Sequence, residues 1–241
     1  MTVTLPWQEL PLNAFNEAQK AQCEAFYQIL LAQNKTLNLT RITEPLEFLE
    51  KHLWDSLAGL WHLPPSLTIP PSARVIDIGT GGGFPGVPMA ITYPDYGITL
   101  LDSTQKKVLF LQTVIEQLSL SSVEAIASRA EEMGQTPQHR ETYDLAVVRA
   151  VSSPVTCLEY ALPLVKIGGI ALLYRGQWTE EEAAQLAQVA PQLGGQAIAT
   201  IPYETPLTHS IRHSVYLQKT HPTPPQFPRR VGVPQQRPLS F

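Results

Sequence analysis

The stretch Val75-Ile-Asp-Ile-Gly-Thr-Gly-Gly-Gly-Phe-Pro-Gly86 decides the fold: a short apolar run becomes a glycine-rich turn, and a helical pattern opens at about Val87. Glycine at this density meets three demands at once. It allows a tight turn, it brings backbone close to a ligand, and it aims the amides of a helix N-terminus at that ligand. An acid, Asp77, stands two residues before the first glycine, and a second, Asp102, closes the next apolar run about 20 residues on.

Outward from this stretch, short apolar runs alternate with helical ones, as in a parallel sheet covered on both faces. Strands are expected at Arg74–Ile78, Ile98–Asp102, Val123–Ala127, Leu145–Val148, Gly169–Tyr174, Ala197–Tyr203 and Arg212–Gln218. Helices are expected over Val87–Thr92, Thr104–Leu118, Pro154–Lys166 and Glu180–Leu193, with Ser153-Pro154 and the Thr179/Glu182 capping box as starts. Eight residues join the last two strands, too few for a helical crossover, so the last strand should run antiparallel to its neighbour. Before the sheet, residues 14–33 are amphipathic at helical spacing. A second helix should run from about Glu44 to Gly59, with Thr43 as cap, Pro45 in the first turn and Gly59 near the stop. The division expected is a helical cap with a proline-rich connector (1–72), an α/β domain (73–219) and a proline-rich basic tail (220–241), read as extended chain docked on the body.

The chain has 241 residues and a net charge of −4, unevenly spread. Residues 207–241 hold five basic side chains and no acid, while the first 206 carry 12 basic against 21 acidic side chains, net −9. An acidic body attracts no polyanion from afar, but a basic tail can engage one locally. No apolar run reaches the length of a membrane span and the N-terminus lacks a signal-peptide layout, so a cytoplasmic protein, here a monomer, is expected. Cys23 and Cys157 are isolated, and His209 and His213 lack a third ligand, so neither a disulfide nor a metal site is expected.

Two cofactors suit the glycine turn. Gly81-x-Gly83-x-x-Gly86 fits a dinucleotide fingerprint, but Asp77 at the strand end would repel a pyrophosphate. S-adenosylmethionine, with its ammonium and sulfonium, tolerates or welcomes that acid. The expected fold is therefore the α/β class I S-adenosylmethionine-dependent methyltransferase fold, a Rossmann-like seven-stranded sheet with its last strand antiparallel and an N-terminal helical cap. Asp102 is placed to accept the ribose hydroxyls, or else only caps the next helix, with Ser103 and Thr104 beside it. Ala130 and Glu131 follow the third strand, either over the adenine or in a solvated charged turn. Arg149 and Arg175 end the fourth and fifth strands on one rim, which suggests an anionic substrate. His52, Asp55 and Ser56, at i, i+3 and i+4, share one helical face, as a hydrogen-bonded tie to the sheet or as part of a substrate pocket.

The segments NKTLNLTRI (34–42), KHLWDS (51–56), DIGTGGGFPG (77–86), LDSTQKK (101–107), SRAEE (128–132), VRA (148–150) and FPRRVGVPQQRPL (227–239) resemble the bacterial glucose-inhibited division protein B family. That likeness implies a guanine-N7 methyltransferase of 16S ribosomal RNA acting on the small ribosomal subunit or a precursor. It implies cofactor contacts at Gly79, Phe84, Asp102, Ser103, Thr104, Ala130, Glu131 and Arg149, to which the glycine turn itself adds Asp77 and Gly81. The likeness, the strand-end rim and the basic tail together make Asn38, His52, Asp55, Arg175, Arg212, Arg229 and Arg230 candidates for substrate binding. The chain departs from the family in Arg175, where lysine is usual, and in Val148, where serine often sits. N7 of guanine carries a lone pair and no proton, so alignment suffices, with Arg149, Arg175 and Asp55 as candidates for it. The alternatives are a non-catalytic RNA-binding or ribosome-assembly factor on this fold, or a small-molecule methyltransferase.

Overall fold

The computed structural model describes residues 4–10 and 15–240. Helix α1 (Glu17–Leu37) starts in a reciprocal cap, the Asn16 side chain accepting from the Gln19 N–H and the Gln19 side chain from the Asn16 N–H. Residue 14, where the periodicity places its start, lies outside the described residues. The helix outlasts the expected residue 33 because nothing breaks it before Asn38, whose φ of 50° ends it.

The second expected helix is three segments in one rod: α2 (Pro45–Phe48), a π-helical stretch Leu49–Trp54, and α3 (Asp55–Trp61). Its cap is Glu44, not Thr43, whose carbonyl instead accepts from the Tyr27 hydroxyl. Gly59 is no stop. A Cβ there would lie 2.8 Å from both Leu172 Cδ2 and the Tyr174 hydroxyl oxygen, so this glycine lets the helix lie close on the sheet.

The sheet comprises β1 (Arg74–Ile78), β2 (Gly97–Asp102), β3 (Val123–Ala127), β4 (Tyr143–Arg149), β5 (Val165–Arg175), β6 (Gly195–Glu204) and β7 (Ile211–Lys219), in the order β3-β2-β1-β4-β5-β7-β6. β7 runs antiparallel to both β5 and β6, between which it is inserted. The intervening helices are α4 (Gly86–Thr92), α5 (Gln105–Gln117), the short α6 (Ala130–Met133), α7 (Pro154–Ala161) and α8 (Glu180–Val189), and α9 (Val233–Gln236) lies in the tail. α7 ends five residues before the expected Lys166, because Pro163 has no N–H to continue it. Pro191 likewise turns the end of α8 into one 3-10 turn, Ala190–Leu193. Both expected caps form, at Ser153 and at Thr179 with Glu182.

Alternation along the strands divides the interior in two. Val75, Leu100, Val147 and Leu172 pack with Phe26, Leu30, Phe48 and Leu57 beneath the N-terminal helices. Their chain neighbours Ile76, Leu101, Val148 and Leu173 pack on the opposite face with Leu158, Leu193 and Phe227.

Phe227 belongs to the tail, which is fastened along that second face. Arg140 donates to the carbonyls of Thr223 (2.7 Å), Pro224 (3.2 Å) and Phe227 (2.7 Å). Lys219 Nζ, fully buried, holds Glu141 (2.9 Å) and the Thr223 hydroxyl (2.6 Å). Arg229, an expected substrate contact, instead grips the fully buried Glu159 with Nε–Oε1 at 2.9 Å and Nη2–Oε2 at 2.6 Å. A carboxylate sealed in an apolar layer requires this countercharge. Arg229→Ala should therefore cost about 3 kcal/mol of unfolding free energy in urea, the cost of an unpaired buried charge; a loss below about 0.5 kcal/mol would mean that the pair behaves as a surface one.

Candidate active site: a glycine-loop cavity beside an arginine-lined cleft

The glycine loop is shaped by the two acids that flank it. Asp77 Oδ2 accepts from the Thr80 hydroxyl (2.6 Å) and the Gly86 N–H (2.8 Å), pulling the start of α4 onto the end of β1. Gly86 permits this approach, since a Cβ there would lie 2.2 Å from Leu100 Cδ2. Asp102 accepts from the Gly81 N–H (3.0 Å) through Oδ2 and from the Thr104 N–H (2.8 Å) through Oδ1. Gly79 takes φ of +71°, and a Cβ on it would meet Val151 Cγ2 at 2.6 Å.

Beyond this loop lies a cavity of about 170 Å³ bordered by Gly79, Asp102, Ser103, Ala130, Glu131 and, from the tail, Gln235. Several expected cofactor residues stand elsewhere. Asp77 is fully buried and spends itself on the loop, so it does not border the cavity. Thr104 is exposed at the start of α5, and the Gly81 amide is already taken by Asp102. Phe84 stacks flat on the His52 ring, 3.8 Å between centroids, instead of bordering the cavity. Glu131 does border it, yet its Oε1 accepts the Gly232 N–H (2.9 Å).

A larger cleft of about 690 Å³ opens on the other side of the β4 end, between the π-helical stretch and the ends of β4, β5 and β7. Arg149, Arg175, Arg212, His52 and Asp55 line it. Arg149 is therefore a cleft residue, not a wall of the glycine-loop cavity. The π winding, with the Asp55 N–H bonded back to the Glu50 carbonyl, redistributes the trio read as one helical face. His52 and Asp55 reach the cleft, while Ser56 is fully buried and its hydroxyl returns to the His52 carbonyl. Glu50, which no sequence pattern singled out, steadies this winding by accepting from the Leu207 and Thr208 amides (2.7 and 2.8 Å). Burial pushes the Glu50 carboxyl up, but the Thr208 and Leu207 hydrogen bonds outweigh it and hold it below the ordinary range.

Charges in the cleft are tied down. Arg149 donates to the Lys51 carbonyl (3.1 Å) and faces His52 Nδ1 at 3.4 Å. A guanidinium only donates, so Nδ1 accepts and the His52 proton sits on Nε2, directed at the Thr40 hydroxyl oxygen (2.8 Å). Burial, reinforced by Arg149, pushes His52 down to about 3, so the ring is neutral at physiological pH. Asp55 accepts from Arg212 Nε (3.3 Å) through Oδ2, while its Oδ1 has no partner among the described residues. Burial raises the Asp55 carboxyl despite Arg149 and Arg212. Arg175 spans the Ser152 carbonyl (3.0 Å) and Glu182 (3.1 Å), two bonds that suit a guanidinium's fork. Of the remaining candidates, Asn38 is the exposed end of α1 and Arg230 is exposed on the tail; neither they nor Arg229 lines the cleft.

Among solved structures, the chain resembles a SAM dependent methyltransferase from Aquifex aeolicus (TM-score 0.52, 17% identity, covering 73% of this chain and 94% of that one). It also resembles MtNAS in complex with MTA and tNA (TM-score 0.53, 12% identity, covering 84% and 74%). The fold is the class I methyltransferase fold. The family model described as GidB, rRNA small subunit methyltransferase G, matches residues 19–206. Curated relatives called ribosomal RNA small subunit methyltransferase G include those of Trichormus variabilis (50% identity, 98% of this chain and 94% of that one) and Synechococcus elongatus (51%, 99% and 95%). The chain belongs to the rRNA small subunit methyltransferase G family, a family of enzymes. No helix among the described residues is long and apolar enough to cross a membrane.

Asp77 gives a pH test of the loop. Burial, only partly offset by the Thr80 and Gly86 hydrogen bonds and by Arg149, raises its carboxyl to about 6. The native state thus holds a proton that the unfolded chain releases near pH 4, so stability falls as pH rises from about 4 to 6, by up to about 3 kcal/mol. Asp77→Asn should lose this slope. Urea unfolding of both proteins across that window checks it, and a pH-independent difference between them would contradict it.

Proposed function

We propose that the protein transfers the methyl group of S-adenosylmethionine to N7 of a guanine in 16S ribosomal RNA, within the small subunit or a precursor, acting as a cytoplasmic monomer. The observation that carries this reading is the pairing of two recesses across the β4 end. One is lined by the glycine loop and a strand-end carboxylate, and the other, of ligand size, by three arginines.

The glycine-loop residues fit the cofactor. Gly79 leaves open a space that any side chain would close against Val151, and Asp102 borders the cavity with a carboxylate that suits ribose hydroxyls. S-adenosylmethionine supplies an electrophilic methyl on sulfur when bound. Ser103 and Ala130 would frame its nucleoside, and the ionised Asp77 beneath the loop favours a cationic ligand by its field.

In the cleft, Arg149 is held against Lys51 and His52, and Arg212 against Asp55, so guanidinium groups stand ready for phosphate without being free to swing. Asp55 suits the guanine itself. Its carboxylate can accept from N1–H and the 2-amino group, the edge of the base opposite N7, and leave N7 free. Reading that edge requires a base out of its pair and stack. No group has to remove a proton, so orientation is the chain's contribution to rate.

Small-subunit particles from a strain lacking this gene, incubated with enzyme and cofactor, should gain one 7-methylguanine in 16S RNA by mass spectrometry. Cofactor uptake without transfer would favour an assembly factor. Asp102→Ala should weaken S-adenosylmethionine binding in calorimetry by about 1–3 kcal/mol. With an RNA substrate carrying inosine for the target guanine, the wild type should lose at least about tenfold in kcat/KM for want of the 2-amino group. Asp55→Ala should narrow that gap, and equal turnover of both substrates by the wild type would remove Asp55 from guanine recognition.

A further inference from the structure

We infer that the C-terminal tail forms a wall of the glycine-loop cavity and that Gln235 binds the adenine edge of the cofactor there, which rests on the cofactor reading above. The tail is fixed on both sides of the cavity. The Gly232 N–H is held by Glu131 of α6, and the Pro234 carbonyl accepts from the Thr156 hydroxyl of α7 (3.1 Å). Pro234 is buried, and a few residues upstream Arg229 is locked on Glu159. α9 therefore bridges the loops that follow β3 and β4, across the crevice at the strand ends where open α/β folds take their ligands.

Gln235 is presented by this short helix. It borders the cavity opposite Ala130 and Tyr160, and its amide makes no hydrogen bond among the described residues, although both neighbouring anchors are satisfied. Asp102 marks the ribose end of the cavity, so the Ala130 side is the base end. A primary amide offers a donor and an acceptor side by side, the complement of the 6-amino group and N7 of adenine. A 6-oxo base presents acceptors at both O6 and N7, so the amide can then make only one of the two bonds and also selects the base.

Calorimetry with S-adenosylhomocysteine tests this. Gln235→Ala should raise Kd about 3–10-fold with an unchanged melting temperature, since the side chain is exposed and supports no packing. S-inosylhomocysteine, with oxygen for the amine, should bind the wild type more weakly than S-adenosylhomocysteine does, and the variant should discriminate less. An unchanged Kd, or equal discrimination by wild type and variant, overturns the role of Gln235 while leaving the cofactor reading intact. A wild type that takes up no S-adenosylhomocysteine would overturn both. Arg229→Lys, remote from the cavity, should raise Kd if the tail positions the wall, and leave it unchanged if the tail is only a strap.

Discussion

One carboxylate oxygen, Asp77 Oδ2, gathers the Thr80 hydroxyl and the Gly86 amide, and the site follows from that contraction. It folds the glycine loop back over the end of β1 and seats α4 against β2, at a distance only glycine at position 86 allows. Asp102 repeats the device one strand over, by holding Gly81. The acids are thus first of all internal scaffolding, and the recess is the space their hydrogen bonds leave open. The arrangement carries a cost, since Asp77 Oδ1 is buried without a partner among the described residues.

What could be read from the sequence was what local chemistry controls. The strands, the Ser153 and Thr179 caps and the reversed last strand follow from periodicity, capping residues and loop length, each contained within a few neighbours. Gly79, Asp102, Ser103 and Ala130 come together because the ends of successive parallel strands share one edge. What escaped depends on partners far along the chain. The π winding at Leu49–Trp54 is braced by Glu50 through Leu207 and Thr208, and no window around residue 50 contains that information. Gly59 carries the same letter whether it ends a helix or lets one pack closely, and only the neighbouring Leu172 and Tyr174 decide. Pro163, by contrast, is a local signal, and the end of α7 follows from its missing N–H.

The contrast between an acidic body and a basic C-terminal segment resolves within the molecule. Of the five cations after residue 206, Arg212 pairs with Asp55, Lys219 with Glu141 and Arg229 with Glu159. The segment's positive charge is mostly consumed in neutralising acids of the body that folding would otherwise leave unpaired. On the function proposed above, recognition of a polyanion falls to short-range contacts in the cleft, where Arg149 and Arg175 are oriented by backbone carbonyls, rather than to attraction at a distance.

The insertion of β7 between β5 and β6 bears on how the protein is made. Among the described residues β6 hydrogen-bonds within the sheet to β7 alone, and β5 has an unpaired edge until β7 arrives. A nascent chain that has emerged only through Glu204 therefore carries one strand with no seat and another with an open edge, the kind of surface that invites pairing with other chains. Closure waits for residues 211–219, so vectorial synthesis yields a finished sheet only after β7 has emerged. Chains released early are candidates for clearance rather than shortened versions of the enzyme.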